Sequence, residues 1–112
     1  MKDLENKVAI VTGVGSGIGK AIALAFAAKG ATLGIGDIDE NLLSKTTDEI
    51  KTITSKVISI KTDVSSEDQV KKLIDETAKT NGKLDVIVNN VSVAIGGYPI
   101  TDMTNEEWQK II

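Results

Sequence analysis

The sequence predicts an α/β fold on a parallel sheet, with strand order 3-2-1-4 and helices on both faces. Two observations predict it. Strand-like and helix-like patterns alternate through four strands, which calls for right-handed crossovers between parallel neighbours. A glycine-rich run, Thr12-Gly13-Val14-Gly15-Ser16-Gly17-Ile18-Gly19, lies where the first strand gives way to the first helix. Glycines there let bare backbone N–H groups approach a ligand at a helix N-terminus, where the macrodipole favours an anion. The ligand this placement suggests is a phosphate-bearing nucleotide.

Each element follows from a local pattern. Lys7-Val8-Ala9-Ile10-Val11-Thr12 is short, mostly apolar and closed by glycine, as in a strand buried on both faces. From Ile18 the apolar positions take helical spacing, through Ala21, Ile22, Ala25 and Phe26, and Gly30 is placed to end the helix after Lys29. Residues 31–36 form a second strand ending at Asp37, and its two glycines serve either close packing or close approach of a ligand. Asp39 is the N-cap of a helix that turns Leu42, Leu43, Thr46 and Ile50 inward.

Val57-Ile58-Ser59-Ile60 is the third strand and closes on Asp63-Val64. Ser66-Glu67-Asp68-Gln69 is a capping box ahead of an inner face of Val70, Leu73, Ile74 and Thr77, and Asn81-Gly82 stops that helix. Leu84-Asp85-Val86-Ile87-Val88 is the fourth strand and runs into Asn89-Asn90. A loop over 91–103 holds Gly96-Gly97 and the single proline, Pro99. Thr104-Asn105-Glu106-Glu107 opens a last helix carrying Trp108, Ile111 and Ile112, and no stop signal follows it. The chain therefore reads as one domain, 1–112, that ends inside a helix.

Composition narrows the chemistry. One hundred and twelve residues, 41% hydrophobic and 26% charged, suit one globular domain. With three aromatic residues, the core has to be built from Ile, Val, Leu and Ala. The net charge of −3, with all thirteen basic residues lysines and unclustered, argues against nucleic acid as a partner. No apolar run has the length of a membrane span and Met1-Lys2-Asp3-Leu4-Glu5 lacks a signal-peptide core, so a cytoplasmic location is the expectation. Without Cys or His there is no disulfide, thiol nucleophile, Ser-His-Asp triad or ordinary zinc site, and no metal site is expected.

Spacing decides what kind of glycine loop this is. The general G-x-G-x-x-G fingerprint fails, because counting from Gly13 ends on Ile18 and from Gly15 on Lys20. A Walker A loop fails as well, since Gly19-Lys20 is followed by Ala21 and Val14 stands where its first glycine belongs. The pattern that fits is T-G-x-x-x-G-x-G, read as Thr12-Gly13, Gly17 and Gly19.

With that loop, Asp37 after the second strand, Asp63-Val64 after the third, Asn89-Asn90 after the fourth and the Met103-Thr104 to Trp108 helix start, the chain resembles the short-chain dehydrogenase/reductase family. The resemblance runs over the whole chain. It implies a Rossmann-like, dinucleotide-binding domain whose cofactor contacts are Thr12, Gly13, Gly15, Ser16, Gly17, Ile18, Gly19, Asp37, Asp63, Val64 and Asn90. Asp37 would hold the adenosine ribose, Asp63 and Val64 the adenine, and Asn90 would lie near the ribose. Asp63 also reads as an upstream cap of the next helix, and the two asparagines as purely structural. A carboxylate at Asp37 disfavours a 2′-phosphate, and Ser16, Ile38 and an arginine-free sequence offer no compensating cation, so NAD is expected over NADP.

The chain departs from the family in two places. Val91-Ser92 stands where the family has Ala-Gly, adding bulk and losing backbone freedom. The family's catalytic Ser and Tyr-x-x-x-Lys are missing: four residues after Tyr98, the sole tyrosine, stands Asp102. The expectation is the NAD-binding portion of an oxidoreductase that moves hydride between nicotinamide and an alcohol or carbonyl substrate, without turnover on its own. A nucleotide-binding module without chemistry is one rival. A self-associating fragment is the other, with a homodimer formed through the exposed strand 84–88.

Overall fold

The computed structural model describes residues 3–15 and 17–89, with the backbone of Ala94–Ile95 and Tyr98–Pro99. The first strand, β1 (Val8–Thr12), leads to α1 (Gly17–Ala28), then β2 (Thr32–Asp37), α2 (Glu40–Lys51), β3 (Val57–Lys61), α3 (Glu67–Asn81) and β4 (Val86–Asn89). The sheet order is β3-β2-β1-β4 with every pairing parallel, matching the expected 3-2-1-4. Register aligns Thr12 with Gly36 and with Asn89, and Asp37 with Lys61, so the strands end together on one rim of the sheet. The glycine loop leaves from that rim.

β1 is buried along its whole length, as a central strand between two helical layers must be. Its side chains alternate between two cores. Ala9 and Val11 join Leu33 and Ile35 of β2, Ala23 and Ala27 of α1 and Leu43 and Ile50 of α2. Ile10 faces the other way, onto Val70, Leu73 and Ile74 of α3. β2 resolves the choice its glycines left open: Leu33 and Ile35 fill the first core, while Gly34 and Gly36 lie bare beneath α3. A Cβ on Gly36 would stand 2.8 Å from Thr62 Oγ1 and 3.0 Å from Leu73 Cδ2, and one on Gly34 would collide with Thr77. Close packing uses both.

Helix boundaries follow the capping signals. Asp39 Oδ1 accepts from the Asn41 and Leu42 N–H groups at 3.0 Å each, and Gly82 ends α3 at φ 75°. On α3 the inner face is the expected Val70, Leu73, Ile74 and Thr77. On α2, Leu43, Thr46, Thr47 and Ile50 are buried, and Leu42 is only half-buried.

On α1 the expected stripe is displaced by one position. Gly19, Ala23 and Ala27 are buried, with Ile22 and Phe26 packed beside them, while Ile18 is 70% exposed and Ala21 and Ala25 are also exposed. The helix is apolar nearly all round, so periodicity leaves its facing ambiguous. The smallest side chains won the sheet side because they let α1 approach closely.

β4 begins later than residue 84 for a specific reason. Asp85 exchanges two bonds with Val8: its own N–H donates to Val8 O at 2.9 Å, and its Oδ2 accepts the Val8 N–H at 2.8 Å. A side-chain oxygen thus stands in for a ladder carbonyl, and regular pairing starts afterwards. The Val8 N–H holds the Asp85 carboxyl below the ordinary aspartate range, assisted by Lys83 Nζ at 3.4 Å and opposed by partial desolvation. The folded state therefore favours the carboxylate. Its contribution is complete above the unfolded value of about 3.9 and is lost as pH falls through the lower folded value. Asp85→Asn is expected to lower the melting temperature at pH 7, with the gap to the parent closing below about pH 4. A gap that stays constant from pH 7 to pH 2 would remove Asp85 from the acid response.

Within the loop expected over 91–103, Ala94–Ile95 and Tyr98–Pro99 pair antiparallel as β5 and β6, with Ile95 opposite Tyr98. In the sequence, Gly96-Gly97 between them is a two-residue hairpin signal. The helix expected from Thr104, and the Val91-Ser92 departure, lie outside the described residues.

Candidate functional site

The rim of the sheet gathers most of the expected site residues. After β1 the loop is fastened to its neighbours by its own backbone. Gly13, at φ 68°, donates its N–H to Gly36 O at 2.9 Å, and the Val14 N–H lies 3.5 Å from the same oxygen. The Gly15 N–H donates to Asp37 Oδ2 at 2.8 Å. Val14 is fully buried, and its carbonyl accepts the hydroxyl of Thr46 on α2 at 2.9 Å. Beneath the loop, Thr12 Oγ1 donates to Asn89 Oδ1 at 2.8 Å, tying β1 to β4.

The glycines thus divide into two groups. Gly13 and Gly15 spend their N–H groups on the rim itself and shape the loop. Gly17, Ile18 and Gly19 form the first turn of α1, where backbone N–H groups have no intrahelical acceptor. Gly17 holds φ 62°, and a Cβ placed there would meet nothing within 4 Å among the described residues. Gly19 is buried and brings α1 down onto the sheet, while Ile18 stands exposed. Ser16 and Asn90 lie outside the described residues.

Asp37 is the hub of the second strand's end. Oδ2 takes the Gly15 N–H and Oδ1 takes the Asp39 N–H, each at 2.8 Å. A carboxylate offers about four acceptor positions, so two remain for hydroxyl donors. Its side chain is half-buried at the end of β2.

Asp63 is fixed just beyond β3. Its Oδ1 accepts the Ser65 hydroxyl at 2.6 Å and the Ser65 N–H at 2.9 Å, and these bonds, the hydroxyl first, hold its carboxyl below the ordinary aspartate value. The Asp63 N–H donates to Gln69 Oε1 at 2.8 Å, and its carbonyl accepts from the Ser66 N–H at 2.9 Å. Val64, half-buried, packs against the α3-side core. The capping box is therefore only half reciprocal. Ser66 Oγ takes the Gln69 N–H at 3.4 Å, but the Gln69 side chain reaches past Ser66 to Asp63.

Two supports of the site went unread in the sequence. Thr46 registers there only as an inward helix position, yet its hydroxyl holds the loop through Val14. Gln69 registers only as a cap, yet it fixes Asp63. The available signals were a threonine on an apolar helix stripe and a glutamine six residues after an aspartate. No helix among the described residues is long and apolar enough to cross a membrane.

Comparison with known proteins places this geometry. The family model for short chain dehydrogenase matches residues 7–112. A 3-oxoacyl-[acyl-carrier-protein] reductase FabG of Thermotoga maritima is 36% identical over 109 residues, covering 97% of this chain and 44% of that protein. The short chain dehydrogenase/reductase astE of Aspergillus oryzae is 38% identical over 110 residues, covering 97% of this chain and 42% of its own length. Among solved structures, a short chain dehydrogenase/reductase from Burkholderia phymatum in complex with NAD superposes with a TM-score of 0.77 at 35% identity, over 99% of this chain and 39% of that one. A short chain dehydrogenase from Mycobacterium smegmatis gives 0.76 at 36% identity, over 99% and 47%. The chain spans less than half the length of each of these relatives. Matched along nearly its whole length in sequence and in fold, it belongs to the short-chain dehydrogenase family.

Proposed function

We propose that this chain is the dinucleotide-binding portion of an NAD(P)-dependent oxidoreductase and that it takes NAD in preference to NADP. The observation that carries the reading is Asp37, held at 2.8 Å by the Gly15 N–H on the rim where the first turn of α1 begins. In this reading the first-turn N–H groups of Gly17, Ile18 and Gly19 receive the pyrophosphate, with Thr12, Gly13, Gly15 and Ser16 shaping the loop. Asp37 accepts hydrogen bonds from the adenosine ribose, Asp63 and Val64 flank the adenine, and Asn90 lies beside the ribose.

Charge supports the choice of cofactor. A carboxylate about 4 Å from a 2′-phosphate is repelled by up to about 4 kcal/mol per unit charge at an effective dielectric of 20, before salt screening. No arginine exists in the sequence to offset it. Bound nicotinamide supplies hydride transfer to or from a carbonyl or alcohol carbon. This chain contributes binding and orientation, and the absence of any Tyr-x-x-x-Lys from its sequence leaves no such pair to move the proton.

Calorimetry of the purified chain with each dinucleotide is expected to give an NAD affinity at least about tenfold above that for NADP. Equal affinities would overturn the preference, and no binding of either would overturn the reading. NADH formation from an alcohol by this chain would show chemistry beyond binding. Self-association through β4 is kept as a second reading, because β4 is an edge strand among the described residues and Val86 is 36% exposed on it. A monomer by sedimentation at high concentration would remove it.

A further inference from the structure

We propose that Gly15 is the positioning residue that aims Asp37, so that the cofactor preference depends on the missing side chain at position 15 as well as on the acid. The inference rests on the NAD reading above. Two features of Gly15 act on the same carboxylate. Its N–H donates to Asp37 Oδ2 at 2.8 Å, and the bare Cα leaves room for that oxygen. A Cβ at this position would stand 2.8 Å from Asp37 Oδ2, 3.1 Å from Asp37 Cγ and 2.8 Å from Leu42 Cβ. Gly15 is thus the spacer in a slot walled by the acid on one side and the start of α2 on the other.

What would yield to an added methyl group follows from how each wall is held. The loop has little room to retreat, because Val14 is buried with its carbonyl on the Thr46 hydroxyl and Gly13 is bonded to Gly36. The α2 wall is anchored by Asp39, whose carboxylate caps Asn41 and Leu42, and by buried Leu43, Thr46 and Ile50. Asp37 is held by two hydrogen bonds on a half-buried side chain. The carboxylate is the least restrained of the three, so it moves and its aim is lost. Asp39 shares in this, because the second oxygen of Asp37 takes the Asp39 N–H.

The test is a double-mutant cycle read as the ratio of NAD to NADP dissociation constants. Gly15→Ala is expected to raise the NAD constant about tenfold while changing that for NADP far less, which is the scale of one hydrogen bond to a charged group. In an Asp37→Asn background the same substitution is expected to leave the ratio within about twofold, because its effect runs through the carboxylate. Equal weakening of both dinucleotides by Gly15→Ala, or the same change of ratio in both backgrounds, would overturn the positioning role while leaving the NAD reading intact. A parent chain that does not prefer NAD would overturn both. If Gly15→Ala does not fold, Asp37→Glu serves: it keeps the charge but carries it past the Gly15 N–H. Loss of the preference in that variant is the expected result, and a full preference would overturn the proposal.

Discussion

Gly34→Ala is expected to destabilise the protein by about 1–3 kcal/mol, the usual cost of forcing a carbon into a filled interior. The new Cβ would collide with Thr77 Oγ1 and lie 2.8 Å from Thr77 Cγ2 and 2.9 Å from Thr77 Cβ. Thr77 has no easy escape. It is fully buried, and its hydroxyl donates to Leu73 O at 2.7 Å within the helix. Turning the side chain away would break that bond or drive a methyl group into the sheet. Denaturant unfolding of the variant should show a lowered midpoint. Adding Thr77→Ala removes two of the three obstructing atoms, so the double variant should lose less than the sum of the singles. Strict additivity would mean that the obstruction lies elsewhere.

That contact also marks where the sequence became ambiguous. The alternation of strand and helix and the caps at Asp39, Ser66 and Gly82 were legible because each rests on local chemistry, and the sheet order because 3-2-1-4 is a common order for such an alternation that opens on a glycine-rich loop. The facing of α1 was not, since Ile18, Ala21, Ile22, Ala23, Ala25, Phe26 and Ala27 allow two stripes one position apart. Close approach to the sheet decided it, and that is a tertiary property. The glycines of β2 likewise carried two readings until α3 was seen lying over them. At the site, residue types and spacing revealed Asp37, Asp63 and the loop. They did not reveal which N–H groups stay free, because Gly13 and Gly15 find their acceptors on β2, twenty or more residues away in sequence.

Leu73→Ala is expected to cost about 2–5 kcal/mol, the range for truncating a buried leucine. Leu73 is fully buried among Ile10, Val70 and Ile74, and its Cδ2 lies where it would be only 3.0 Å from a Cβ on Gly36. It therefore packs onto the bare backbone of β2 one residue before Asp37. Truncation opens a cavity over that backbone, and the unfolding midpoint should fall with the denaturant slope unchanged. The consequence for binding differs from that of Gly15→Ala. Gly36 O receives the Gly13 N–H, so slack beneath Gly36 reaches the glycine loop as a whole. Affinity for both dinucleotides should drop together, while their ratio holds, because the slot between Gly15 and Asp37 is untouched. A changed ratio in Leu73→Ala would show that the aim of Asp37 is set from beneath the strand, by the α3 packing, instead of from the loop.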